Sequence, residues 1–219
     1  MTRAEEIAAA VAEVTGRIAA AAARAGRDPS AVTLVAVTKT KPVEDLLHAF
    51  AAGVRHFGEN RVQEAEAKFG SLPAGAVRHL IGPVQSNKAN RAARVADVVQ
   101  TVDSADLARR LDRAAAQAGK RLPVLLEVNT GGEATKAGVA AAEVPALAET
   151  VRSLASLDLR GLMAIPPPGE TRPHFAALRS LALSLGLPEL SIGMSDDFEE
   201  AVEEGATIVR VGTAIFGTR

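Results

Sequence analysis

The chain has 219 residues, 47% of them apolar and 23% charged, enough for one large globular domain or two small ones. Twenty-five basic residues face twenty-six acidic ones with no dense Lys/Arg block, so the electrostatic footprint of a nucleic-acid binder is missing. The absence of cysteine excludes a disulfide framework and fits a reducing, cytoplasmic compartment, and no stretch reaches the ~18 uninterrupted apolar residues that a bilayer span requires.

Residues 3 to 25 carry a long amphipathic helical pattern, and its charges at Glu5, Glu6, Glu13 and Arg17 argue against an export signal. Apolar runs rich in Val, Ile and Leu then recur, predicting strands at 34–39, 55–58, 79–82, 98–102, 124–129, 159–165, 190–193 and 208–213. Helical patterns fill the gaps. After the fourth strand, for example, SADLARRLDRAAAQAG opens on Ser104 as an N-cap and closes on Gly119. IPPPGETRP, residues 165 to 173, is a proline-stiffened loop.

Eight strand–helix units with no composition break predict a single α/β domain over 1–219. The expected fold is a (β/α)₈ TIM barrel, with the additional N-terminal helix covering the side left bare after the last strand. An open doubly wound sheet shares the alternation, but GxGxxG is absent.

In such a barrel the C-terminal ends of the strands carry the chemistry, and the last two loops often hold phosphate. Lys39 ends the first predicted strand in register with Val35 and Val37, so if those point inward its amine does too. An amine at an apolar mouth loses hydration, which favours the neutral form that attacks a carbonyl. The alternative is a strand-end lysine that points at water. Lys41 shares the parity of Lys39 but precedes Pro42 and is expected to be solvated.

In the loop after strand seven, Gly193 and Ser195 of SIGMSDDFEEAVEEG stand where a helix N-terminus favours an anion. After strand eight, Gly212 of VRVGTAIFG lets a ligand approach the backbone and Thr213 offers a hydroxyl. Each motif also has a structural reading: N-capping by Ser195, a capping box of Asp196 with Glu199, and a simple strand ending at Gly212. Arg210 interrupts an apolar strand on the face of Gly212 and needs an acceptor, either a carboxylate such as Glu127 or Glu59, or a cofactor ring nitrogen. Lysine amine, phosphate cradle and ring-nitrogen partner are the contacts that pyridoxal 5′-phosphate (PLP) requires. His79, Gln85, Asn87 and Lys88 read as mouth residues, and His48 and His174 as surface ones. No spacing of His, Asp or Glu suggests a metal site.

The segments LVAVTKTKP, FGENRVQEAEAK, RHLIGPVQSNKAN, LEVNTGGEATKAG, GLMAI and LSIGMSDDFEEAVEEGATIVRVGTAIFG resemble the YggS/PROSC family of PLP-binding homeostasis proteins over nearly the whole chain. The resemblance implies a monomeric barrel similar to the N-terminal domain of alanine racemase, with PLP as a Schiff base on Lys39. It further implies Asn60 against the cofactor, Ser195, Gly212 and Thr213 on the phosphate, and Arg210 at the ring nitrogen. Lys136 matches a family lysine, which makes it either a secondary or transfer site for PLP or an exposed loop residue.

Two-base racemisation needs a second base, which in the racemase resemblance is a tyrosine from a further domain. This chain contains neither tyrosine nor cysteine. The expectation is a carrier that holds PLP without robust turnover, assigns no catalytic residue, and supplies PLP-dependent apoenzymes. A low-activity racemase-like enzyme using Lys39 as its base, and a phosphosugar-binding aldolase-type barrel, remain the other readings.

Overall fold

The computed structural model describes residues 1–132 and 137–218. Its first strands are β1 (Thr33–Val37), β2 (His56–Glu59), β3 (Val77–Leu80), β4 (Val98–Val102) and β5 (Leu122–Asn129). They are followed by β6 (Val139–Ala140), β7 (Leu157–Met163), β8 (Glu189–Ser191) and β9 (Ile208–Val211). The eight strands other than β6 pair in parallel around a closed ring, β1–β2–β3–β4–β5–β7–β8–β9 and back to β1. This is the expected (β/α)₈ barrel. The two-residue β6, too short for any periodicity, adds only to the outer end of β5.

Helices α2 (Val43–Ala51), α3 (Val62–Lys68), α4 (Ala89–Val95), α5 (Ala105–Gln117), α6 (Val144–Arg152), α7 (Arg172–Ser184) and α8 (Phe198–Glu203) follow their strands on the outside. The main core lies between them and the barrel wall, while Val35, Leu125, Met163 and Ile208 form a separate apolar cluster inside. Ser104 caps α5 by accepting from the Leu107 N–H, and Gly119 turns the chain at φ +65°, as the sequence predicts.

The eighth helical position belongs to α1 (Arg3–Arg24), which packs against α2, α8 and the single turn α9 (Thr213–Phe216). A capping box of Thr2 with Glu5 starts it, and Ile7, Val11, Val14 and Ile18 bury one stripe. Polar ties fix its position. Arg3 grips Asp45 at 2.7 Å and the Phe216 carbonyl at 2.9 Å, Arg17 meets Glu199 at 2.7 Å, and Arg24 meets Glu203 at 2.7 Å.

The acidic face of α8 is closed from the other side by Arg172, which pairs with Glu200, Glu203 and Glu204. Such exposed pairs act mainly as a network and are screened by salt. Arg172→Ala is therefore expected to lower the thermal midpoint modestly in dilute buffer, with the deficit closing near molar salt. A midpoint unchanged at both salt levels would show the cluster to be energetically idle.

Candidate functional site

All six residues singled out from the sequence line one cavity of about 240 Å³ at the C-terminal mouth of the barrel: Lys39, Asn60, Ser195, Arg210, Gly212 and Thr213. Val37, Ile81, Ile165 and Met194 supply apolar wall. The volume suits a small ligand with one ring.

Lys39 lies two residues beyond the end of β1, not within it as predicted. Its half-buried amine shares the cavity with Val37 and makes no hydrogen bond or ion pair among the described residues. The backbone on either side is held firmly. The Thr38 N–H donates to the Gly58 carbonyl at 2.9 Å, and the Thr40 N–H, at φ +66°, donates to Glu64 Oε2 at 3.0 Å. Behind this turn Lys68 Nζ donates to the Thr38 carbonyl at 2.9 Å, to Glu59 Oε1 at 2.8 Å and to Glu64 Oε2 at 3.2 Å. Glu59 is fully buried, and its other oxygen has no partner. Sequence reasoning missed Lys68. The signal was available in ENRVQEAEAK, where Glu64 and Lys68 stand four residues apart on one helix face.

Lys41 is not solvated as predicted. Its ammonium closes the C-terminal end of α9, donating to the carbonyls of Phe216, Gly217 and Thr218 at 3.1, 3.1 and 3.2 Å.

Ser195 does not cap α8. That N-cap is Asp197, whose carboxylate accepts from the Met194 N–H at 2.6 Å, and the Asp196–Glu199 capping box is absent. Ser195 instead reaches the end of β9, where its Oγ accepts from the amides of Gly212 and Ala214, both at 3.3 Å. These long bonds leave two backbone donors converging on one oxygen, the arrangement an anion's oxygen also satisfies. At Gly212 there is little room for a Cβ, which would stand 3.1 Å from the Val37 carbonyl oxygen of β1. Gly193, at φ +89°, has no room for a Cβ either, since one would lie 2.5 Å from that of Ala201. Thr213 is exposed at the rim, and the half-buried Asn60 side chain makes no hydrogen bond among the described residues.

Arg210 is 3% exposed and forms no carboxylate ion pair among the described residues, contrary to the structural alternative of Glu127 or Glu59. It donates instead to the Ser191 carbonyl and hydroxyl, both at 2.7 Å, and to the Ala164 carbonyl at 2.9 Å. Burial lowers its pKa to about 10, with Glu127 and Asp197 opposing, so the group stays charged at neutral pH. Glu127 is itself pushed up to about 7 by burial, with Asp103 adding to the rise and Arg210 opposing it; its Oε2 has no partner.

His79 sits inside the barrel on β3 and not at the mouth, and the half-buried His56 and His174 also have partners. Asn87 borders a separate groove between α4 and α5. Lys136 lies outside the described residues. No cluster of three metal-ligating side chains occurs among the described residues, and none of their helices is long and apolar enough to cross a membrane.

A closed parallel barrel with an unpaired lysine amine, a converging amide pair and a buried guanidinium at one mouth is the frame of an alanine racemase-like cofactor barrel. The family model "Alanine racemase, N-terminal domain" matches residues 11–219. A pyridoxal phosphate homeostasis protein of Pseudomonas aeruginosa is 50% identical over 222 residues, covering 97% of this chain and 96% of the relative. PipY of Synechococcus elongatus, solved with PLP bound, is 42% identical at a TM-score of 0.81, covering 93% of this chain and 100% of its own. Alanine racemase of Clostridium difficile, at 12% identity and a TM-score of 0.71 over 86% of this chain and 55% of its own, shares the fold. The chain belongs to the alanine racemase N-terminal-domain family and, within it, to the pyridoxal phosphate homeostasis proteins.

Proposed function

We propose that this protein binds PLP in the cavity at the barrel mouth and serves intracellular PLP homeostasis as a carrier rather than as an enzyme of robust turnover. The single observation that carries this reading is the placement of the unpaired Lys39 amine in one cavity with Arg210 and the Ser195–Gly212–Ala214 cradle. PLP supplies an aldehyde and an electron-withdrawing ring. Lys39 holds the aldehyde as a Schiff base, its Nζ forming the C=N bond with loss of one water. The amides at Gly212 and Ala214 with the hydroxyls of Ser195 and Thr213 receive the phosphate, Asn60 lies against the cofactor, and Arg210 donates to the ring nitrogen.

Carriage is favoured over racemisation by the rest of the lining. Lys41 is committed to three carbonyls and Asp196 is exposed at the rim, so among the described residues the cavity presents no buried second base opposite Lys39. A permanently charged guanidinium at the ring nitrogen also makes a weaker electron sink than a carboxylate would. On this reading the protein is a cytoplasmic monomer that buffers PLP and supplies it to PLP-dependent apoenzymes.

The test is the visible spectrum of the purified protein incubated with PLP, before and after borohydride, followed by peptide mass analysis. A band that bleaches, with the pyridoxyl mass on Lys39 and absent from Lys39→Ala, is expected. A protein that stays colourless with added PLP and binds phosphosugars saturably would overturn the reading. Rapid stereospecific turnover of an amino acid would replace the carrier with a racemase-like enzyme.

A further inference from the structure

Five polar side chains cross the inside of the barrel in one hydrogen-bonded line. Arg210 Nη1 donates to Ser191 Oγ at 2.7 Å, and Ser191 Oγ donates to Gln100 Oε1 at 2.7 Å. Gln100 Nε2 then meets His79 Nδ1 at 2.9 Å, and His79 Nε2 meets His56 Nδ1 at 2.9 Å. Ser191 is on β8 and Gln100 on β4, which are not neighbours in the ring, so their contact spans the barrel interior. Ser191, Gln100 and His79 are buried, and half-buried His56 borders a second cavity together with Thr15, Thr33 and Arg55.

The direction of the line is set from one end. A guanidinium has no acceptor, so Ser191 Oγ must accept from it and send its own proton onward to the Gln100 carbonyl. The Gln100 amide then donates to His79 Nδ1, which leaves the His79 proton on Nε2 and aims it at His56 Nδ1. Reversing the line would strand the Ser191 hydroxyl proton, because no other acceptor lies in reach among its described contacts. Every dipole in the line therefore turns its negative end toward Arg210. Aligned hydrogen bonds polarise one another in a low-dielectric interior, and they help hold a buried cation that has no carboxylate hydrogen-bonded to it among the described residues, with Glu127 and Asp197 favouring its charge from further off.

We propose that Ser191, Gln100 and His79 are positioning residues for Arg210, forming a one-way relay that holds its charge in place and leaves its free edge facing the cavity. A carboxylate in their place would compete with any ligand for that edge, whereas neutral acceptors do not. Burial and the neighbouring His56 hold the pKa of His79 at about 3, consistent with a neutral link. The functional half of the proposal rests on the reading that Arg210 meets the ring nitrogen of PLP.

The experiment is long-range proton–nitrogen NMR of the histidine side chains in the PLP-free protein, paired with PLP titration of the same samples. In the wild type, His79 and His56 should each show one neutral form protonated on Nε2; His79 protonated on Nδ1 would overturn the direction of the relay. Ser191→Ala removes a hydroxyl two links from His79. It should mix the His79 tautomers and weaken PLP binding by about tenfold, as expected for one lost hydrogen bond to a charged group. Ser191→Thr should restore both readouts, and it keeps the comparison usable if Ser191→Ala folds poorly. An unchanged His79 tautomer in Ser191→Ala, with wild-type PLP affinity, would overturn the proposal. A wild-type protein that takes up no PLP yet shows the single tautomer, lost in Ser191→Ala, would sink the cofactor reading and leave the relay standing.

Discussion

Lys68→Met should be among the most damaging single substitutions in this protein, lowering stability by about 3–5 kcal/mol, the range for removing one partner of a buried ion pair. The ammonium it removes is only 12% exposed and is the ion-pair partner of fully buried Glu59. Without it, Glu59 keeps only the Thr38 hydroxyl at 2.7 Å, and its Oε2 is already unpartnered. The pH dependence follows from the direction of the Glu59 shift. Burial already raises its pKa above the usual glutamate value, with Lys68 and Thr38 opposing the rise, so losing Lys68 raises it further. A folded-state pKa above the unfolded one gives stability that is present in acid and is lost as pH climbs through the folded value. The deficit of Lys68→Met relative to wild type should therefore be small at pH 4 and greatest above neutrality. Adding Glu59→Gln should recover much of the loss, since the amide carries no charge and still accepts from Thr38. Equal deficits at both pH values, measured by urea unfolding, would show that lost packing and not a stranded carboxylate is responsible. The Thr40 amide, held through Glu64, is expected to lose hydrogen-exchange protection in the same variant, because Lys68 also steadies the turn that presents Lys39.

The barrel was legible in the sequence because strands of a parallel sheet, covered on both faces, read as Val/Ile/Leu runs between helical stretches. Their boundaries were legible only to within about two residues, and the errors run mostly one way. β1, β7, β8 and β9 all stop two residues before the predicted ends at 39, 165, 193 and 213, while β3, β5 and β7 begin two residues before the predicted starts at 79, 124 and 159. Just past β1, β7 and β8 one further backbone bond to a neighbouring strand is still made, by Thr38, Ala164 and Ile192, so the chain keeps a strand-like course toward the cavity. At the N-terminal ends Arg78, Pro123 and Asp158 interrupt the apolar run although the pairing has already begun.

Lys39, Ser195, Gly212 and Thr213 were legible for a related reason, since they follow strands at the end the fold assigns to ligand; Arg210 stood out as a charge within strand β9, and Asn60 came from the family resemblance. What supports them was not. The Arg210 relay joins residues 19, 91, 21 and 23 positions apart, and no local spacing in the sequence links them. Arg210 prompted a search for a partner because a buried charge is costly. Gln100 in VVQTV and Ser191 in ELS posed the same question more quietly.

Glu127→Gln is expected to do the opposite of Lys68→Met and stabilise the protein, by up to about 3 kcal/mol at pH 8 and hardly at all at pH 4. Glu127 lies on β5 two residues after Leu125, which puts it on the inner face above the apolar cluster, with an Oε2 that nothing satisfies. With a folded-state pKa of about 7 against the usual glutamate value, the folded protein binds this proton more tightly than the unfolded chain does. Stability is then full below the unfolded pKa and falls as pH rises through 7, where the buried carboxylate ionises. The amide removes that loss at high pH and leaves acid stability alone. Arg210 sets the limit on the gain, since the same substitution also removes the negative charge that favours its protonated form. Unfolding free energies at the two pH values decide the matter. A variant less stable than wild type at pH 8 would show that the Glu127 charge is held in the fold to balance Arg210, and that the relay through Ser191 is not sufficient to keep that guanidinium buried.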